Sequence, residues 1–435
     1  MGLFETLKQI DGTERAVKVG IVGLGQMGEG LACQMETLYG MEAVAIADII
    51  PGKAAQVYKA ARVDPSVVVE TDSLKAARKA AADNKRIATT NTDLLTRIPE
   101  IDIIVEVTGI PEIGVQIAHD AIISGKHVVQ MNVEADATVG FYLQKLAESA
   151  GVVYTLTGGD EPGTIADLYD FAVSLGFDVV SVGKGANNPL DRSATPESIA
   201  DVAKKRKMNP KMLASFYDGS KTMVEMTSIG NGIGFVPDVP GMHGPGSTPE
   251  TLHTIFIPKE HGGVLNGSKA VEFSHGVAPG VFLVFTAEHP KIIRDLEYLK
   301  MGEGPYYSLF RPYHLTSLET PITIARAALY GETTLATTNP PVCETVAYAK
   351  KDLKKGDSVD SIGGFTVYGM IEKKTTSDAG KLLPLGLAPG ARIIRDVPAG
   401  TPLSYGDVEM DENSHIRIIR RLQDNLIGRI TKETG

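Results

Sequence analysis

VKVGIVGLGQMGEG, Val17 to Gly30, is the stretch on which the fold turns. VKVGIV is a β-branched run that predicts a buried strand. GLGQMG then sets glycines at Gly23, Gly25 and Gly28, and GEGLACQMETLYG after Met27 predicts a helix. A glycine pattern between strand and helix is the setting in which it carries weight. Gly23 permits a tight turn, Gly25 lets backbone approach a pyrophosphate, and Gly28 lets helix pack on strand. The helix start at Gln26 and Met27 offers N–H groups and a positive dipole end to phosphates. A dinucleotide-binding site at Gly23, Gly25, Gln26, Met27 and Gly28 is expected.

The pattern continues outward. EAVAIA from Glu42, IDIIVEVTG from Ile101, KHVVQM from Lys126, VVYTLT from Val152 and FDVVSVG from Phe177 read as strands, with VQIAHDAIISG as a helix between. Strands alternating with helices imply βαβ units and a parallel sheet, an α/β fold. The second strand ends at Asp48, twenty positions past Gly28, followed by IIPGK without an arginine. A carboxylate there accepts from ribose hydroxyls and repels a 2′-phosphate, which favours NAD over NADP; the alternative is a strand-end turn residue. Thr108 and Gly109 of EVTGIPEIG are expected in the loop over the cofactor's middle. Asn132 and Glu134 of MNVEAD fall on the nicotinamide side, or cap a helix.

The chain has 435 residues, too many for one ordinary core. Glycine, proline and polar motifs become dense near Gly158, and prolines mark TNPPVCETV as a linker. The expected domains are 1–157, dinucleotide-binding; 158–338, catalytic and dimerising; and 339–435, small and β-rich. LHTIFIP from Leu252 and GVFLVFTAEH from Gly280 suggest an antiparallel sheet in the second. In the third, AKKDLKKGDSVD and IRDVPAGTPLSYGDV form a weak internal echo that suggests a compact clip. The net charge of −10 argues against nucleic acid. Two distant cysteines, Cys33 and Cys343, argue against a disulfide framework and for a reducing cytoplasm. No apolar run reaches membrane-spanning length. MGLFET matches a loose myristoylation pattern, and coincidence is the better reading. A small-molecule substrate and a homo-oligomer are expected.

Chemistry-bearing residues gather in the middle. Lys184 of GKGANNPLD follows a strand and can donate to a developing alkoxide, with Gly183 and Gly185 leaving room beside it. Lys221 of DGSKTMVEM can do the same; Glu225 shares its helix face, so the two are alternatively a surface ion pair. Asn187, Asn188, Arg311 and His314 can hold a phosphate or carboxylate. His243 of GMHGP, ahead of His275, is a proton shuttle or a turn residue.

GLGQMG, TGIPEIG, SGKHVVQMNVEAD, GGDEPG, GKGANNPLD, DGSKTMVEM, GMHGP, SHGVAPGVF, GPYYSLFRPYHLTSLE and AKKDLKKGD together resemble the 1-deoxy-D-xylulose-5-phosphate reductoisomerase-like family. These are relatives of homoserine dehydrogenase with a C-terminal SAF domain. The resemblance implies a Rossmann domain, a catalytic α+β domain and a SAF-like β-clip over 339–435. It implies reduction and isomerisation of deoxyxylulose phosphate to methylerythritol phosphate, for isoprenoid precursors, with NADPH. Asp48, Ile49 and Ile50 depart from the arginine-bearing pattern of NADPH-using members. Val133 stands where homoserine dehydrogenase has a lysine. A reductoisomerase needs an oxygen-ligated metal, so Asp160, Glu161 and Glu225 would hold Mg²⁺ or Mn²⁺, unless the first two cap a helix. Two enzymes remain open: a hydride-transferring reductoisomerase, and an NAD-linked dehydrogenase of a sugar acid or polyol. A non-catalytic sensor would need neither the lysines nor the carboxylates.

Overall fold

The computed structural model describes residues 2–434. The chain forms two compact units, neither continuous in sequence. The first comprises Met1–Asp160, Leu315–Thr338 and Ile419–Gly435; the second comprises Glu161–His314 and Asn339–Ile418. The expected boundary after 157 lies three residues before the first crossing, and the one after 338 coincides with another. The 339–435 segment is divided: 339–418 joins the second unit and the rest the first.

Seven strands build the first unit's sheet: β1 Val17–Val22, β2 Met41–Ala47, β3 Val68–Glu70, β4 Arg86–Thr89, β5 Ile103–Glu106, β6 His127–Gln130 and β7 Tyr154–Leu156. Their order is β3-β4-β2-β1-β5-β6-β7, and every pairing is parallel. β1 is central and almost wholly buried, as a helix-covered parallel strand must be. The strand order reverses between β1 and β5, so their carboxyl ends open a crevice at the glycine turn.

The returning C-terminal helix His415–Thr434 is fastened to the first unit through side-chain amides. Gln423 accepts from the Tyr142 N–H and donates to the Thr138 C=O, each at 3.1 Å. A regular α-helix joins those two groups to each other, four residues apart. Gln423 therefore spans one turn of the helix Val133–Ala150.

The second unit's sheet has β8 Asp178–Ala186, β9 Val236–Pro237, β10 Ala270–His275, β11 Val281–Thr286 and β12 Tyr306–Arg311, in the order β12-β11-β8-β10-β9. It is mixed rather than antiparallel: β8, β10 and β9 pair parallel, while β11 runs against β8 and β12. FDVVSVG thus starts a second sheet and does not extend the first. LHTIFIP is not a strand; it opens with the short helix Leu252–Ile255. Leu252 and Phe256, four residues apart, are both fully buried, and Phe256 packs 4.6 Å from Phe282 between ring centroids. That spacing is helical, which a short apolar run conceals.

β13 Cys343–Ala349 and β14 Val367–Lys373 pair antiparallel, so much of the expected linker TNPPVCETV is strand. The two echoing segments are partners: Leu353 and Val397 exchange both backbone hydrogen bonds at 2.9 Å. The helix Ser220–Ile233 anchors this module. Asn231 accepts from the N–H groups of Val342 and Cys343, and Thr227 meets Thr345 at 2.7 Å between hydroxyls. Lys350 donates to Asp218, the Ala194 C=O and the Gly364 C=O, so its three ammonium hydrogens each have a partner.

Candidate functional site

In the first unit, the three glycines after β1 serve three ends. Gly23 has φ +95°, and a Cβ on it would lie 2.9 Å from the Thr108 backbone. A Cβ on Gly28 would strike the Gly23 carbonyl, so the helix Gln26–Met35 packs closely on the turn. Above Gly25 no atom lies within 4 Å of such a Cβ, and the helix opens there with Gln26 and Met27. Asp48, just past β2, accepts from the Leu24 N–H at 2.8 Å and the Ile50 N–H at 2.9 Å. It fastens the glycine turn to the second strand, and its carboxylate oxygens keep further lone pairs for ribose hydroxyls. Beside it a hollow of about 280 Å³ is lined by Ile50, Gly52, Glu70, Thr71, Asp72 and Thr90.

Thr108 and Gly109 follow β5 across the crevice, and the space over Gly109 is open. Asn132 caps the helix Val133–Ala150 by accepting from the Ala135 N–H at 3.2 Å. Its Nδ2 is buried without a hydrogen-bond partner. Glu134 lies buried in that helix's first turn. These features fit a dinucleotide: clearance over Gly25 and Gly109, donors at a helix start, and an unsatisfied donor at Asn132. A group the sequence reading missed is Glu106, the last residue of β5, which is fully buried. Burial pushes its carboxyl up to about 7, against the pull of the Thr108 N–H. An acid ending the apolar run IDIIVE was the available signal.

In the second unit, Lys184 lies inside β8, 4% exposed. Its Nζ donates to Glu161 Oε1 at 2.5 Å and to Glu225 Oε2. Glu161 opens the helix Glu161–Ser174, and Glu225 lies mid-way along the helix Ser220–Ile233. Burial works to lower the Lys184 pKa, but the two carboxylates outweigh it and hold it above the usual lysine value. Burial raises the Glu225 carboxyl, with the Glu161 charge adding to it and Lys184 opposing. Lys221 Nζ lies 3.8 Å from Glu225, and with its side chain 13% exposed the pair is no surface bridge. His314 Nε2 approaches Glu161 at 3.5 Å.

Two expectations about this site change. Gly183 and Gly185 do not leave room for substrate beside Lys184. Neighbouring residues of a strand face opposite ways. A Cβ on Gly183 would meet Phe282 and the Glu272 carbonyl; one on Gly185 would meet the Val277–Ala278 backbone. The glycines let the other face of β8 pack. Nor do Glu161 and Glu225 enclose a metal position as expected with Asp160, because the Lys184 ammonium stands between them. Asp160 belongs to the first unit and Glu161 to the second.

Register places Arg311 usefully. Val281 of β11 pairs with Lys184 on one side and Arg311 on the other. Directly opposed residues share a sheet face, so Lys184 and Arg311 lie on one face about 9–10 Å apart across the strands. The Arg311 guanidinium sits 4.6 Å from the Tyr313 ring centroid. Asn187 is exposed, and Asn188 accepts from Arg206 at 2.8 Å. His243 meets Glu272 at 2.7 Å through Nδ1 and Asp238 at 3.4 Å through Nε2. Glu272, wholly buried, also accepts from the backbone N–H groups of His243 and Gly244. The imidazole thus holds the GMHGP loop to β10. Glu272 and Asp238 were not foreseen.

Residues 23–156 match the family described as Homoserine dehydrogenase, NAD binding domain. Residues 159–320 match Oxidoreductase DRL, catalytic domain. The chain is thus similar, in order, to an NAD-binding domain and an oxidoreductase catalytic domain. No curated protein matches the sequence. Among solved structures, scyllo-inositol dehydrogenase from Lactobacillus casei with bound NAD(H) and scyllo-inositol is 15% identical, covering 62% of this chain and 73% of its own, at a TM-score of 0.36. The apo form of the scyllo-inositol dehydrogenase is 17% identical, covering 44% of this chain and 50% of its own, at 0.30. The chain thus spans half the length of that apo chain. The oxidoreductase yvaA from Bacillus subtilis is 12% identical, covering 74% of this chain and 90% of its own, at 0.36. No helix among the described residues is long and apolar enough to cross a membrane.

Proposed function

We propose that the enzyme is an NAD-linked dehydrogenase acting on a CH–OH group of a small, polyhydroxylated, anionic substrate such as a sugar acid or sugar phosphate. The observation that carries this is the buried Lys184 ammonium held between Glu161 and Glu225. When bound, the dinucleotide supplies the hydride acceptor or donor. The first unit's residues would orient it: the Gln26 and Met27 N–H groups would hold the pyrophosphate, and Asp48 would accept from the ribose hydroxyls. That carboxylate, with Ile49 and Ile50 and no arginine beside it, favours NAD.

Lys184 donates to the substrate oxygen, which bears negative charge as an alkoxide before the hydride leaves in oxidation and gains it as the hydride arrives in reduction. In the oxidative direction Nζ takes the hydroxyl proton while handing one of its own to Glu225. The raised pKa of Glu225 makes it a better proton acceptor than an exposed glutamate. Reduction runs the same transfer backwards. Arg311, on the same sheet face, suits a terminal carboxylate or phosphate.

The test is a panel of sugar acids, sugar phosphates and neutral polyols, assayed with NAD and NADP at 340 nm with product analysis. Turnover of anionic substrates with an unchanged carbon skeleton is expected. A rearranged skeleton, or turnover of neutral polyols alone, would defeat the proposal.

A further inference from the structure

We propose that Glu106 is a positioning residue for the dinucleotide: its carboxylate fixes the Thr108–Gly109 turn, and through that turn the first glycine of the phosphate loop. Glu106 ends β5, on the far wall of the crevice from the glycine turn. Oε1 accepts from the Thr108 N–H at 2.6 Å, and Oε2 accepts from Gln130 Nε2 at 2.7 Å. The Thr108 backbone in turn abuts Gly23: a Cβ there would lie 2.9 Å from both Thr108 N and Cα. Any drift of Thr108 therefore moves against the residue that sets the loop's path. The helix Pro111–Ile123 closes the cluster from outside. A Cβ on its Gly114 would come within 2.6 Å of Asn132 Nδ2, 2.7 Å of Glu106 Oε2 and 3.0 Å of Gln130 Nε2.

The contact that matters is an acceptor at the Thr108 N–H, not the negative charge. A neutral amide supplies the acceptor equally well. Gln130 Oε1 is buried without a partner, so an amide turn at Gln130 would meet a donor placed at position 106. Burying a polar side chain here costs stability that an apolar residue would not cost, so an acceptor at this position needs a reason beyond packing. Positioning Thr108 is that reason.

The experiment titrates the full-length protein with NADH, following cofactor fluorescence, for wild type, Glu106→Gln and Glu106→Met. Glu106→Met keeps the volume and removes the acceptor. It should raise the NADH Kd about tenfold, as expected for one lost hydrogen bond and a loosened turn. With a working substrate in hand, KM for NAD should rise while kcat at saturating NAD stays near wild type. Glu106→Gln should stay within about threefold of wild-type Kd, since the acceptor is kept. A folded Glu106→Met with wild-type Kd overturns the proposal, and so does a Glu106→Gln that loses as much as Met. Should Glu106→Met not fold, Gly114→Ala presses on the same side chains from the helix, and a folded Gly114→Ala with unchanged Kd overturns it equally. Wild-type protein that fails to bind NADH would instead strike at the cofactor assignment itself.

Discussion

Lys184 Nζ lies 2.5 Å from Glu161 Oε1, a buried ion pair joining a strand interior to the first residue of a helix. The same ammonium serves Glu225, so its removal strands two carboxylates in a dry place. Lys184→Met should lower kcat by about 100-fold or more, the usual worth of a preorganised donor. It should also destabilise the protein by about 3–5 kcal/mol near pH 8, as broken buried pairs do. Adding Glu225→Gln should restore much of the stability and none of the activity. Urea unfolding and initial rates on both variants check this; a fully stable Lys184→Met with over a tenth of the activity would sink it.

Glu106 gives a pH signature of its own. Its folded-state pKa is raised from 4.5 to about 7. The fold therefore favours the neutral acid, a contribution complete below about pH 4.5 and lost as pH climbs through about 7. Glu106→Gln should gain on wild type across that window, by about 3 kcal/mol at its upper end. Unfolding of both proteins between pH 5 and 8 reads the difference directly. A gap that does not widen with pH would show that Glu106 titrates normally.

Asp48→Ala should narrow the preference for NAD over NADP. Because Asp48 also ties down the Leu24 N–H, kcat/KM should fall with NAD while changing less with NADP. A wild type that prefers NADP would refute this assignment of the carboxylate.

Arg311→Met should raise KM for an anionic substrate more than it lowers kcat, by roughly tenfold or more in kcat/KM, since a lost charge-assisted contact acts mainly on binding. Equal loss on a neutral analogue of the same substrate would remove Arg311 from anion binding.

Gly183→Ala should unfold more readily and leave the substrate KM of the folded enzyme alone. The new methyl points at Phe282 and the Glu272 carbonyl, on the face of β8 opposite Lys184. A selective rise in substrate KM without loss of stability would restore the glycine to the substrate's side.

The first unit was legible because its signals are local. Gly23, Gly25, Gly28 and Asp48 act where they stand in sequence, one turn and one strand apart. β3 and β4 were missed because VVE and RIAT sit among polar and turn-forming residues, in DPSVVVETD and NKRIATTNTD, which dilute their apolar signal. In the second unit, Lys184, Glu161 and Glu225 were each picked out by local motif, but their mutual contact spans 23 and 41 residues. No spacing rule announces that an ammonium fills the gap between two acids. The glycines beside Lys184 misled for a related reason: strand alternation sends them to the other face, and that face exists only once β11 is paired.

The thread of the chain crosses between its units four times, at 160, 314, 338 and 418. On a ribosome this sets a timetable. The dinucleotide sheet emerges first, yet Arg420 and Gln423 reach back to the Thr138 carbonyl from 282 and 285 residues downstream. The cofactor-binding unit thus cannot be finished until nearly all the chain has left the tunnel. No single cut can release either unit whole.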